Sequence, residues 1–391
     1  MRARPIPTVL ATVTLLAGGL VVASPAVAGG GGGSGGGPGC RLVDSTLTFT
    51  GAPEPELTEL FTDYGDTGGE WTGGDSAYSI PMRGGKNLWV FSDTFLGEVA
   101  DDGSRPQDSP FLNNSFVQQD RRDRLTTITG PDDTSLIGPP TDEPAGWYWV
   151  GDGLQTQRGD IQLTALRFWY GGGGSFDFGW DSNHLATFDG RTFRLKSLTD
   201  LPSASGVQWA SWIDQAQGRE KYTYVYGVDD QGLVKSMHVA RVRGTDLTGR
   251  WEYWTGSGWS RTETDTAAVM SGVANEYSVT EFKDGYLLVT QDTNELFSRN
   301  IVAYTACSPT GPFEPAGLVY EMPEVGATGS YGDPNVWAYN AHEHPELRTR
   351  DSILVTYNVN SFDSTDLYED ASIYRPRFVE VEVDVERPRH H

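Results

Sequence analysis

The feature that most constrains this chain is a pattern that recurs five times: a polar stretch, an alternating strand, a tight turn and a second strand rich in aromatic or β-branched residues. The copies read GGDSAYSIPMRGGKNLWVFSDTF, YWVGDGLQTQRGDIQLTALRFWY, QWASWIDQAQGREKYTYVYGVDD, NEYSVTEFKDGYLLVTQDTN and YNAHEHPELRTRDSILVTYNVNS, starting near residues 73, 150, 208, 275 and 339. Between them lie further strand candidates such as RTFRLKSL, MHVARVRG and IVAYTAC, and no long segment has a 3.6-residue period. A lone hairpin cannot cover both of its faces, whereas radial repetition of four-stranded units buries both and leaves only short edges. The spacing therefore predicts an all-β chain, a five-bladed β-propeller spanning 40–387. The alternative is a two-domain β-sandwich, which also shows short strands at even spacing. RLVDSTLTFT near the start and RPRFVEVEVDVE near the end alternate as strands do, and one of them is expected to close the ring.

The first 39 residues are set apart from this unit. Arg2 and Arg4 precede an apolar run from Val9 to Val22, and Ala26-Val27-Ala28 supplies a small-x-small cleavage pattern, so 1–28 reads as an export signal. The run is too short to span a bilayer comfortably, and no stable membrane insertion is expected. The glycine tract at 29–39 has no side chains to pack and reads as a tether. In an oxidising extracellular compartment Cys40 and Cys307, the two cysteines of the chain, are expected to form a disulfide. A net charge of −24 repels polyanions, which argues against nucleic acid as a partner and suits a secreted protein acting on a neutral polysaccharide. A monomer is expected.

Asp75 and Asp93 flank the first turn, and their position numbers centre on Gly84 within RGGK. With an odd loop such as Arg83 to Gly85 they face each other, roughly 4.5–5.5 Å apart at Cα. A two-residue loop would put them on opposite faces. Neighbouring carboxylates raise one another's proton affinity and split into an acid and a base, the division of labour that glycoside hydrolysis needs. The plainer reading is that both aspartates cap turns. In the fourth copy Glu276 and Asp292 centre on Asp284 and form a rival pair, which would bring Glu276 to the same mouth as a third carboxylate.

His342 and His344, two apart on a strand, share one face and suit hydrogen bonds to sugar hydroxyls better than a metal, because no cysteine or third histidine lies nearby. Acid-rich loops could hold Ca²⁺, although no complete EF-hand-type loop is present, and no motif suggests a redox or nucleotide cofactor. Aromatics at strand ends (Trp71, Trp147, Trp149, Trp209, Trp212, Trp337, Tyr339) divide between core packing and flat faces for sugar rings. The proposed pocket-lining set is Asn113, Asn114, Trp149, Asp152, Trp209, Glu276, His342, His344 and Asn358.

The stretches GGDSAYSIP, LWVFSDTFLG, FLNNSFVQQD, YNAHEHPEL, LVTYNVNS and YRPRFVEVEV together resemble actinobacterial secreted proteins classed as domain of unknown function 5005. These are similar in turn to domain of unknown function 4185 proteins, glycoside hydrolase family 183. That resemblance covers nearly all of 40–385. It implies a five-bladed propeller, cleavage of arabinan-like furanosidic polymers with retention of configuration, and a catalytic pair at Asp75 and Asp93. Asp93 is provisionally the nucleophile or stabilising carboxylate and Asp75 the acid/base. A carbohydrate-binding propeller that breaks no bond, and a purely structural or protein-binding one, are the rival classes.

Overall fold

A computed structural model describes residues 40–172, 177–215 and 221–387, so the expected signal and tether lie outside the described residues, as does most of the QAQGRE turn of the third copy. The described chain is all-β apart from short helical pieces. Five antiparallel sheets follow one another along it, opening with strands Tyr78–Met82, Gly146–Gln155, Val207–Asp214, Tyr277–Phe282 and Val336–Glu343. A small three-stranded sheet, Trp71–Gly74, Thr94–Leu96 and Phe111–Leu112, adjoins the first.

Each opening strand packs on the next, Tyr78–Met82 on Gly146–Gln155 and so on to Val336–Glu343. The fifth returns to the first through side chains. The His342 ring stacks on Tyr78 at 4.5 Å, and Ser79 Oγ meets His344 Nδ1. These inner strands are buried along most of their length, which is why they read as apolar runs as well as alternations. The last strand alternates over its second half: Pro376–Glu386 buries Phe378, Val379, Val381 and Val383 while its glutamates face water. It pairs directly with Thr46–Pro53, so the two candidate closing strands close on each other. Cys40 is bonded to Cys307, tying the start of the unit to the fourth sheet.

Turn geometry decides the two carboxylate pairs. In the first sheet Met82 lies opposite Lys86, leaving the three-residue loop Arg83-Gly84-Gly85, and both glycines adopt positive φ (87° and 66°) that other residues rarely tolerate. The register therefore aligns Asp75 with Asp93. In the fourth sheet Phe282 lies opposite Gly285, so the loop has two residues and Tyr277 pairs with Thr290. That register is one short of the pairing expected for Glu276 and Asp292, and Asp292 instead caps its own loop by accepting from the Asn294 amide and side chain. The rival pair does not form.

One element escaped the sequence reading. Pro55–Thr67 is an α-helix with proline in its first turn and Glu54 accepting from the amides of Glu56 and Leu57. It buries little beyond Phe61 and Gly65, too few residues to print a helical period. Phe61 lies 5.3 to 5.5 Å from the rings of Trp71, Trp89 and Phe378, a burial that contributes about 1.5–3 kcal/mol.

Candidate active site

Asp75 sits where the chain leaves the small sheet for the inner strand of the first. Its amide donates to the Asp93 carbonyl at 3.0 Å, and its own carbonyl accepts from the Ser92 amide at 3.1 Å, so the backbones of the two segments are locked together. The next residues, Ser76 and Ala77, both take left-handed conformations (φ 66° and 58°), an arrangement that side chains with a Cβ adopt only when their surroundings enforce it. This kink turns Asp75 inward and delivers the Ser76 hydroxyl to Glu276 Oε1 at 2.8 Å.

Two phenols converge on one oxygen of Asp75. Tyr339 and Tyr374 donate to Oδ2 at 2.8 and 2.9 Å, while Oδ1 is buried and bonded to no protein group. Tyr339 reaches the site because the fifth inner strand bulges between Tyr339 and His342, with Asn340 at φ 59°, a device that re-aims side chains. Tyr374 comes from the short turn before the last strand. Its backbone passes so close to Gly73 that a Cβ there would lie 2.2 Å from the Tyr374 carbonyl oxygen, so glycine is required at that position.

Asp93 is held differently. Asn113 Nδ2 and Trp149 Nε1 donate to its Oδ1 at 2.9 and 2.7 Å. Burial pushes both carboxyls above the ordinary aspartate range. The Asp75 hydrogen bonds restrain its rise, whereas Asp93 is also pushed up by the charge of Asp75 and climbs further.

Glu276 completes the group. Its Oε1 accepts from Ser76 and from Asn340 Nδ2, the latter at 2.8 Å, and Oε2 is buried without a partner, 3.8 Å from His342 Nδ1. Desolvation holds Glu276 well above the glutamate range and pushes His342 down to about 4. Near neutral pH the imidazole is therefore uncharged and the contact is no ion pair.

The remaining proposed residues divide. Asn113 and Trp149 touch Asp93, as described. Asn358 lies directly opposite Tyr339 in the sheet register and is buried with both amide atoms unpaired by protein groups. His342 and His344 share one face, their rings 5.1 Å apart, but His344 is fully buried and enclosed between Ser79 and Thr356. Asn114 and Trp209 spend their polar atoms elsewhere, and Asp152 meets the group only through its charge, which raises the proton affinity of Glu276. Asn114 is buried and spends its amide on the backbone of Ile137 and Tyr148, fastening a loop. Asp152 accepts from the amides of Gly153 and Ile213, stitching the second sheet to the third. Trp209 is fully buried against Trp251 and Tyr253, with its indole on Glu263.

Ser76, Asn340 and Tyr374 were missed. The first two sit in left-handed or bulged backbone that no composition signal marks, and Tyr374 is 299 residues from Asp75. Among the described residues no cluster of three or more His, Cys, Asp or Glu is placed to hold a metal ion, and no helix is long and apolar enough to cross a membrane.

Comparison with solved structures gives a likeness to a protein from Bacteroides ovatus ATCC 8483 named provisionally as a hydrolase, at 19% identity and a TM-score of 0.71 over 87% of this chain and 94% of that one. A family 117 glycoside hydrolase from Zobellia galactanivorans gives 11% identity and 0.43 over 88% and 92%. An α-L-arabinofuranosidase from Podospora anserina gives 12% and 0.44 over 82% and 92%. The first likeness concerns the fold, and the other two carry no argument. No curated protein matches the sequence. The match that classifies the chain runs over residues 58–383, from the first helix to the last strand, and by it the protein belongs to the family described as domain of unknown function (DUF5005).

Proposed function

We propose that the protein is a secreted glycoside hydrolase in which the five sheets are the blades of a five-bladed propeller and Asp75 and Asp93 are the reacting carboxylates. One observation carries this reading. Two carboxyls on facing segments are both partly buried, each is gripped through a single oxygen by two donors, and their proton affinities are raised unequally.

The inequality assigns the roles. Asp93, raised further, keeps its proton and gives it to the glycosidic oxygen as the bond to the anomeric carbon breaks. Asp75, whose charge is stabilised by two phenols, attacks that carbon through Oδ1. Water, losing its proton to the now ionised Asp93, then displaces Asp75. This reverses the provisional assignment from sequence. Both carboxyls accept hydrogen bonds that favour the charged form, and the order is set by the Asp75 charge, which adds to the rise of Asp93. Residues opposite each other across a hairpin have Cα atoms about 4.5–5.5 Å apart, a spacing that lets their carboxyls approach to the short separation of retaining enzymes. Glu276, raised by desolvation and with Oε2 unpartnered, is the group offered to a sugar hydroxyl. The substrate class is a neutral, furanosidic, arabinan-like polysaccharide, cut by a monomer without a cofactor.

The test is to incubate the protein with mycobacterial-type arabinan and a panel of plant arabinans while following reducing ends and the anomeric proton by NMR. Release of product with its configuration retained supports the reading, and no release from any polymer sinks it.

A further inference from the structure

Beside the carboxylates, three aromatic rings form a shelf at the surface. Trp337 and Phe362 stack with their planes 17° apart and centroids at 5.5 Å, and Phe297 meets both edge-on, at 5.6 and 4.9 Å. Such a cluster ordinarily belongs in a core, yet Phe297 and Phe362 each remain 44% exposed. Phe297 also sits at φ 53°, a left-handed conformation that is an outlier for a bulky residue. Its loop is held firmly enough to sustain this. Gln291 bonds at once to the carbonyls of Ser298 and Ala338, anchoring the base of the loop to the inner strand that carries Trp337. Left-handed backbone also serves plain turns of this chain, at Phe193 and Lys283, so the case for a ligand clamp rests on the exposed rings.

The shelf is continuous with the carboxylate pair. Trp337 lies 4.4 Å from the ring of Tyr339, whose hydroxyl is bonded to Asp75. On its other side Phe297 walls a cleft of about 520 Å³ that is also lined by Glu295, Arg299, Glu321 and Thr328. Arg299 bonds to Glu321 and to the Val325 carbonyl, which leaves the cleft polar without a free positive charge for an anion. An apolar face beside polar groups matches the two sides of a sugar ring.

We propose that Phe297, Trp337 and Phe362, with the cleft behind Phe297, form a subsite that stacks sugar rings of the polymer on the Asp75 side of the bond being cut. The occupant is a neutral glycan chain running from Asp75 over Tyr339 and the shelf into the cleft. The proposal rests on the carbohydrate reading of the site, and the experiment separates the two.

Full-length protein and the variants Phe297→Leu, Phe362→Leu and the double substitution keep apolar volume while removing flat rings, and thermal melts verify folding. Each is run through native gels containing arabinan or arabinogalactan, then assayed on arabinan and on a nitrophenyl arabinofuranoside too short to reach the shelf. The expected result is retardation lost in the folded double variant and KM for arabinan raised at least about tenfold, the scale of a stacking hot spot, with the short substrate unaffected. If the wild type binds polymer but cuts nothing, loss of retardation in the double variant still supports the shelf while the hydrolase reading falls. Unchanged retardation and KM in the folded double variant, equal loss on both substrates, or no retardation of wild type by any polymer overturns the subsite.

Discussion

Tyr374 places its hydroxyl 2.9 Å from Oδ2 of Asp75 across 299 residues of sequence, on the same oxygen that Tyr339 occupies. Both bonds favour the ionised carboxylate and restrain its pKa. Removing one in Tyr374→Phe therefore raises the pKa of Asp75, so that less of it is ionised at a given pH. The acid limb of the kcat/KM profile is expected to move to higher pH, with a loss of activity below neutrality that recovers as pH rises. A pH-independent loss would show that the phenol acts otherwise.

Trp149 offers the matching experiment on the other carboxyl. Its indole lowers the proton affinity of Asp93. In Trp149→Phe the basic limb should move to higher pH while the acid limb stays near its place, although each limb belongs to the coupled pair and small shifts in both are expected. If Trp149→Phe moves the acid limb and Tyr374→Phe the basic one, the roles of the two aspartates are exchanged.

Stability responds with a definite sign. The folded pKa of Asp93 lies above its unfolded value of about 3.9, so the folded state holds the extra proton. Its contribution is complete below the unfolded pKa and is lost as pH rises through the folded one. Asp93→Asn removes that loss. Thermal melts should show the variant matching the wild type near pH 4 and exceeding it by a few degrees at pH 8.

The disulfide spans a sequence separation of 267 residues. Replacing both cysteines by serine is expected to cost about 2–5 kcal/mol in denaturant unfolding. Because the bridge lies at the start of the unit and in the fourth sheet, the folded variant should keep the kcat of the wild type.

The sequence was most legible where period and turn chemistry act locally. Alternation located the inner strands within a few residues, and the glycines of RGGK allowed the odd loop that aligns Asp75 with Asp93. One residue of loop length, invisible in the pattern EFKDGY, was enough to undo the Glu276 and Asp292 pairing. Trp209 and Asn114 show the other limit. An indole or amide at a strand end reads alike whether it faces a pocket or a neighbouring sheet, and only packing against Trp251 or the Ile137 backbone decides. Tyr374, Asn340 and Ser76 needed long-range closure or backbone with positive φ to reach the site, and neither leaves a period to read.

The most direct test compares wild type, Asp75→Asn and Asp93→Asn on the arabinan panel, with polymer binding measured on the same folded samples. The account predicts release of reducing ends by the wild type, a fall of about 10²–10⁴-fold or more in each variant, and binding retained in all three. Release that survives either substitution, or binding without release by all three proteins, would contradict it.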